Sequence, residues 1–186
     1  MTKEEQLTEL KERCLGCRKC GLRDGCNNVV FGVGNPESEV MFVGEGPGEQ
    51  EDLRGEPFVG RAGQLLDLML DAVGLSRERN IYIANIVKCR PPGNRDPLPD
   101  EQETCIAWLR EQFAIIRPKV IVCLGRVAAG RLMNPDIKIT REHGQLIEKN
   151  GVMMMATLHP AALLRNPGQK PAAFEDYLKL RDYLEN

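Results

Sequence analysis

The apolar positions of this chain fall into short continuous runs set between longer amphipathic stretches. Glu39–Val43, Ile81–Val87, Val120–Leu124 and Val152–Leu158 are apolar runs of strand length, the pattern of strands covered on both faces. Between them the spacing predicts helices from Gly60 or Arg61 to Val73, Pro99 to Arg117, Arg126 to Met133 and Pro171 to Leu184. Gly74 is the natural C-cap of the first. The second opens on a proline and stops before Pro118. Lys3–Arg13 carries apolar residues only at Leu7 and Leu10 and reads as a short surface helix, while Val29-Val30-Phe31 reads as a short edge strand. Strands alternating with helices predict a single three-layer α/β/α domain over residues 1–186, built on a central parallel four-stranded sheet. Residues 1–28 form its N-terminal helix and cysteine-rich segment.

In such a sheet the C-terminal strand ends share one rim, where α/β proteins place ligands. That rim gathers Gly44-Glu45, Asn85, Gly125 and His159. The longest connection on it runs from Gly44 to Gly63, G-E-G-P-G-E-Q-E-D-L-R-G-E-P-F-V-G-R-A-G. Its glycines let backbone N–H groups approach a ligand closely. Glu45, Glu49, Glu51 and Asp52 argue against a phosphate cradle, and no G-x-x-x-x-G-K-S/T is present. Backbone donors beside carboxylates suit a neutral or weakly acidic ligand, with a carboxylate left for chemistry; an ordinary acidic surface loop is the alternative. The proline-rich stretch Lys88–Pro97 cannot be regular structure.

Composition changes this picture in one respect. Hydrophobic residues make up 42% and charged residues 28%, ordinary for a globular domain. No apolar run approaches the roughly 18 residues of a membrane span, and the polar N-terminus reads as lacking a signal peptide, so the expected location is cytoplasmic. A formal net charge of −2 offers no global attraction to nucleic acid. Seven cysteines, however, are many for a reducing compartment, and metal or cluster ligation is the leading explanation. Cys14, Cys17 and Cys20 form two overlapping C-x-x-C pairs, of which one register can supply two ligands, with Cys89 and Cys105 as the others. Four thiolates suit either tetrahedral zinc or a [4Fe–4S] cluster.

The longer motifs are more specific. V-V-F-G-V-G-N-P at 29–36, G-E-G-P-G-E-Q-E-D at 44–52, G-E-P-F-V-G-R-A-G at 55–63, N-I-V-K-C-R-P-P-G-N-R at 85–95 and H-P-A-A-L-L-R-N-P at 159–167 resemble the iron–sulfur, family-four type of uracil-DNA glycosylase over nearly the whole chain. The resemblance implies a DNA-repair enzyme, a monomer, that flips uracil out of DNA and hydrolyses its N-glycosidic bond. It implies a [4Fe–4S] cluster on Cys17, Cys20, Cys89 and Cys105, because the family's C-x-x-C-x-L matches Cys17 to Leu22 and leaves Cys14 and Cys26 as extras. Phe58 would stack on the base, Asn85 would read its edge, and Gly44, Glu45 and Gly46 with His159 would bind it and stabilise charge on O2. Glu45 is the first candidate to activate water and Glu51 the second, with Glu51 also the candidate to crowd C5 and exclude thymine. Leu163 or Leu164 would be the wedge that enters DNA, beside a basic patch of Arg90, Arg95, Arg165 and Lys88. Other families carry Asp or Asn where this chain has Gly46. The reactive histidine of a DNA-linking branch has no counterpart between Cys89 and Pro97.

Overall fold

The computed structural model describes residues 1–186. Four strands, β2 (Val40–Gly44), β3 (Ile81–Asn85), β4 (Val120–Leu124) and β6 (Val152–Thr157), pair in parallel in the order β3-β2-β4-β6. These are the four expected apolar runs, each within a residue or two of its predicted bounds. The sheet is nonetheless six-stranded and mixed, because two short antiparallel strands close its edges. β1 (Val33–Gly34) pairs with β3, and β5 (Ile147–Lys149) pairs with β6.

Both edges have local causes. The expected edge strand at 29–31 is displaced to β1 because Val29, Val30 and Phe31 are buried, and Val30 N–H donates to Lys88 O at 2.7 Å instead of entering the ladder. β5 folds back on β6 through Asn150-Gly151, whose φ values of 53° and 81° are both positive. That is the conformation a two-residue hairpin needs, and Asn-Gly adopts it readily.

Side chains alternate across the sheet, and two cores result. Met41, Val43, Tyr82, Ala84, Ile121 and Cys123 face α1 (Lys3–Leu15), α4 (Pro99–Ile116) and α5 (Arg126–Leu132). Val40, Phe42, Ile81, Ile83, Val120 and Val122 face α3 (Arg61–Asp71), α7 (Pro160–Arg165) and α8 (Lys170–Glu185). The N-terminal helix is thus not simply a surface element: Leu7, Leu10 and Cys14 are buried. A short α6 (Ile139–Glu142) lies between β4 and β5. No helix is long and apolar enough to cross a membrane.

The long Gly44–Gly63 connection contains a helix of its own, α2 (Glu49–Arg54). From it Asp52, 1% exposed, accepts Asn27 N–H at 2.8 Å, Asn27 Nδ2 at 2.6 Å and Asn28 N–H at 3.2 Å. One buried carboxylate therefore ties the end of the cysteine-rich segment to the rim loop. Asp52→Ala removes the acceptor of all three of these part-buried hydrogen bonds, and losing them is expected to lower stability by about 1 kcal/mol or more. The measurement is the urea midpoint, which should fall with no change in denaturant slope.

Candidate active site

The rim expected from the strand ends is the wall of the largest cavity, of about 560 Å³, lined by Glu45, Gly46, Glu51, Phe58, Asn85 and His159 among others. Its geometry begins with a close approach. A Cβ on Gly44, the last residue of β2, would lie 2.5 Å from Phe58 Cζ and 2.6 Å from Asn85 Oδ1, so only glycine lets ring and amide converge there. A Cβ on Gly46 would meet Val87 Cγ2 at 2.7 Å, which leaves no room for an Asp or Asn side chain without a shift.

Phe58 is held in a left-handed backbone conformation, φ 53°, which a bulky residue adopts only when its surroundings impose it. Three restraints do so. Arg77 donates to Pro57 O at 2.7 Å and to Phe58 O at 2.8 Å. Glu51 Oε2 accepts Val59 N–H at 2.8 Å and Gly60 N–H at 2.7 Å, while its Oε1 accepts Gly48 N–H at 3.1 Å. Gly63 packs so tightly that a Cβ there would be 1.9 Å from Phe58 O. The Phe58 ring, 6% exposed, ends 5.6 Å from the His159 ring.

Asn85 closes β3 and is 2% exposed, yet its Oδ1 is buried with no hydrogen-bond partner. Such an acceptor destabilises the empty site by about 1–3 kcal/mol. It is the acceptor a bound N–H would satisfy.

His159 caps α7: Ala161 N–H donates to its Nδ1 at 3.0 Å. The neutral ring therefore carries its proton on Nε2, which has no protein partner. Burial, and then the Arg165 charge, push its pKa down to about 4. Glu45 shifts the other way, to about 7, through burial and then the like charge and hydrogen bond of Asp96. Asp96 is itself paired with Arg126. The site thus holds a neutral imidazole donor and a carboxyl that titrates near neutrality, two groups suited to stabilising an oxyanion and accepting a proton.

Three sequence expectations change here. Leu163 is fully buried in the same core cluster as Phe42 and Tyr177, so it is not at the surface where a wedge must stand; its neighbour Leu164 on α7 is half-buried. Lys88 is 1% exposed and leaves the basic patch, because its ammonium turns inward. Arg95 is exposed but paired with Glu101 at 2.7 Å, while Arg90 holds Asn94 Oδ1 at 2.7 Å and Arg165 is exposed. Asp96, Arg126 and Arg77 were not singled out from the sequence. The available signal for Arg126 was its position directly after rim residue Gly125; nothing local marked the other two.

The cysteines converge away from this cavity. Cys17 and Cys20 from the segment after α1, Cys89 from the loop after β3 and Cys105 from α4 line one niche with Leu22, Val29 and Trp108. Cys14 borders it too, its thiol pushed up to about 12 by burial. Cys26 lies beside Cys89, whose thiol is raised first by burial and then by that neighbour. Lys88 N–H donates to Cys105 Sγ at 3.3 Å. No three His, Cys, Asp or Glu side chains stand at the spacing that holds a single metal ion.

The His159 arrangement has a measurable consequence. A histidine depressed from 6.5 to about 4 on folding contributes stability that is present above its unfolded pKa and is lost as pH falls through about 4. His159 ring signals in NMR should hold the neutral, Nε2-protonated pattern from pH about 8 to about 5.5, across the range in which a histidine ordinarily titrates. A midpoint near 6.5 would contradict this geometry.

Comparison with known proteins agrees with the site. Residues 31–180 match the model of the uracil DNA glycosylase superfamily. The chain is 47% identical over 184 residues to a type-4 uracil-DNA glycosylase of Archaeoglobus fulgidus, a match covering 95% of this chain and 92% of that one. It is 43% identical to a type-4 enzyme of Thermotoga maritima, over 99% of this chain and 97% of the other. A type-5 enzyme of Pyrobaculum aerophilum is more distant, 34% identical over 73% of this chain and 67% of its own length. A stacking ring, an amide acceptor without a partner and a neutral histidine meet at the rim of an α/β sheet, in a sequence that tracks type-4 enzymes almost end to end: the chain belongs to the uracil-DNA glycosylase superfamily.

Proposed function

We propose that this protein excises uracil from DNA, hydrolysing the N-glycosidic bond and leaving an abasic site. The observation that carries the reading is the buried, unpartnered Asn85 Oδ1 beside the Phe58 ring. Uracil offers N3–H to that oxygen and O4 to the Asn85 NH₂. Cytosine presents an acceptor and a donor at the same two places, and the mismatch disfavours it by about 1–3 kcal/mol per buried group.

As the C1′–N1 bond breaks, its electron pair leaves with the base and charge gathers on O2. His159 Nε2–H, kept on that nitrogen by the Ala161 contact, donates to O2 without having to surrender a full proton. Removing such a donor lowers rates by about 10²–10³. Water adds to C1′ and loses its proton to Glu45. Glu51 is fixed on the cavity wall by three backbone N–H groups; a carboxylate so committed anchors the Phe58 loop and stands as the guard at C5 of the base, leaving water activation to Glu45. Leu164 is the wedge that fills the vacated stack, and Arg90 and Arg165 supply phosphate contacts with a smaller share from the Glu101-paired Arg95.

The cysteine niche suits a [4Fe–4S] cluster. Thiols from three separate elements converge, Leu22, Val29 and Trp108 line the niche together with Lys19, Arg23 and Lys88, and a backbone N–H already points at Cys105 Sγ. Cys17, Cys20, Cys89 and Cys105 would hold the cluster, and once bound it cross-links the N-terminal segment, the Cys89 loop and α4.

The direct test is single-turnover incubation with a uracil-containing oligonucleotide followed by alkali. Strand scission at uracil is expected, and Asn85→Ala should slow it by at least about tenfold, the loss that follows from about 1.4 kcal/mol of recognition energy. No scission by the wild type would reject the reading.

A pH dependence follows from Glu45. A base with a pKa of about 7 must be ionised to act, so the rate should fall as pH drops below about 7. Asp96→Asn removes the like charge that helps hold the Glu45 proton, and the acid limb of the rate profile should move to lower pH. An unmoved limb would take Glu45 out of the base role.

A further inference from the structure

Lys88 is the only fully buried lysine or arginine of the chain, and the chemistry above does not use it. It is three residues beyond Asn85 and next to Cys89. Its Nζ turns back to donate to Asn85 O at 3.1 Å and reaches α4 to donate to Gln112 Oε1 at 2.7 Å, and it lies 5.8 Å from the centre of the Phe31 ring. Gln112 is held in turn by its Nε2–H to Phe31 O at 2.9 Å. All these partners are neutral, and no carboxylate pairs with the ammonium. A buried cation without a counter-charge is strongly unfavourable. Lys88 lines the niche together with Cys14, Cys17, Cys20, Cys89 and Cys105, thiols that carry negative charge when they ligate metal, and its backbone N–H already bonds Cys105 Sγ. Cys105 and Gln112 are two helical turns apart on α4 and so share one face. That face presents a sulfur and an amide to the same lysine.

We propose that Lys88 is a positioning residue that joins the cysteine niche to base recognition: its ammonium is the counter-charge of the thiolate-bound cluster, and its bond to the Asn85 carbonyl fixes the strand end from which the Asn85 amide reads uracil. The proposal rests on the glycosylase and cluster reading above. The cluster is then more than a distant staple, since the charge it places in the niche holds a side chain that grips the recognition strand. Displacing that strand end by a fraction of an ångström moves the amide against the base without removing any group that touches it.

The experiment uses Lys88→Met, which keeps most of the stem and loses the charge, with Lys88→Gln as a neutral hydrogen-bonding second variant. Iron per chain, the rate at which ferricyanide bleaches the cluster absorbance, DNA affinity and the single-turnover excision rate are measured together. Both variants should keep wild-type iron and DNA affinity. Bleaching should be several-fold faster, because removing a nearby positive charge favours the oxidised cluster. Excision should slow by about 10–10², the scale of a small misplacement of a recognising group. Wild-type excision or wild-type bleaching in these variants overturns the proposal. A loss confined to DNA affinity overturns it in favour of a phosphate contact, and loss of iron from both variants overturns it in favour of a purely folding role. The wild type is the control that separates the readings: if it lacks iron or does not excise uracil, the glycosylase and cluster reading fails, whereas a normal wild type beside unaffected variants rejects only the role of Lys88.

Discussion

Between Gly44 and its neighbours there is space for a hydrogen atom and nothing larger, since a Cβ would stand 2.5 Å from Phe58 and 2.6 Å from Asn85. The rest of the rim depends on that approach. The strand end must be bare so that a ring can cover it, and the ring must turn through a left-handed residue to do so. That strain requires Arg77, Glu51 and Gly63 to restrain the loop from three sides. Much of the motif-rich stretch from Gly44 to Gly63 is therefore scaffolding for one aromatic ring.

The same economy shows in how charge is arranged. Two titratable groups of the cavity move in opposite directions for one shared cause, burial: His159 loses its charge and Glu45 retains its proton to a higher pH. Asp96 and Arg126 then adjust Glu45, so its titration depends on side chains from a second loop and a helix. Beneath the rim, the only buried cation is held by a backbone carbonyl and an amide rather than by a carboxylate. Asp52, for its part, is buried where it ties the cysteine segment to α2.

Family kinship and physical reading reach the site by different routes. Strand-end convergence finds Gly44, Asn85 and His159 without knowledge of any relative, because parallel strands must present their C-terminal ends to one rim. Long motifs find Phe58 and imply a register for the cysteines, which spacing alone left open. Neither route identifies Asp96 or Arg77, whose importance lies in what they do to another residue.

The sequence by itself determined the parallel core, since Val40–Gly44, Ile81–Asn85, Val120–Leu124 and Val152–Thr157 are too apolar and too short to be anything but strands buried on both faces. It also marked an exposed turn at Asn150-Gly151, although three exposed residues of β5 carry too little apolar pattern to declare the strand that makes it a hairpin. The tertiary structure alone decided which side chains point inward. Leu163 and Leu164 are adjacent and chemically identical, and only the packing of α7 on the sheet buries one and leaves the other at the surface. Lys88 reads as a basic loop residue until Gln112 and Cys105, both distant in sequence, are brought against it by α4. A linear pattern encodes periodicity, which local backbone geometry converts directly into elements. The partners of a buried charge, or the room for a Cβ, are set by residues that meet only after the chain has folded.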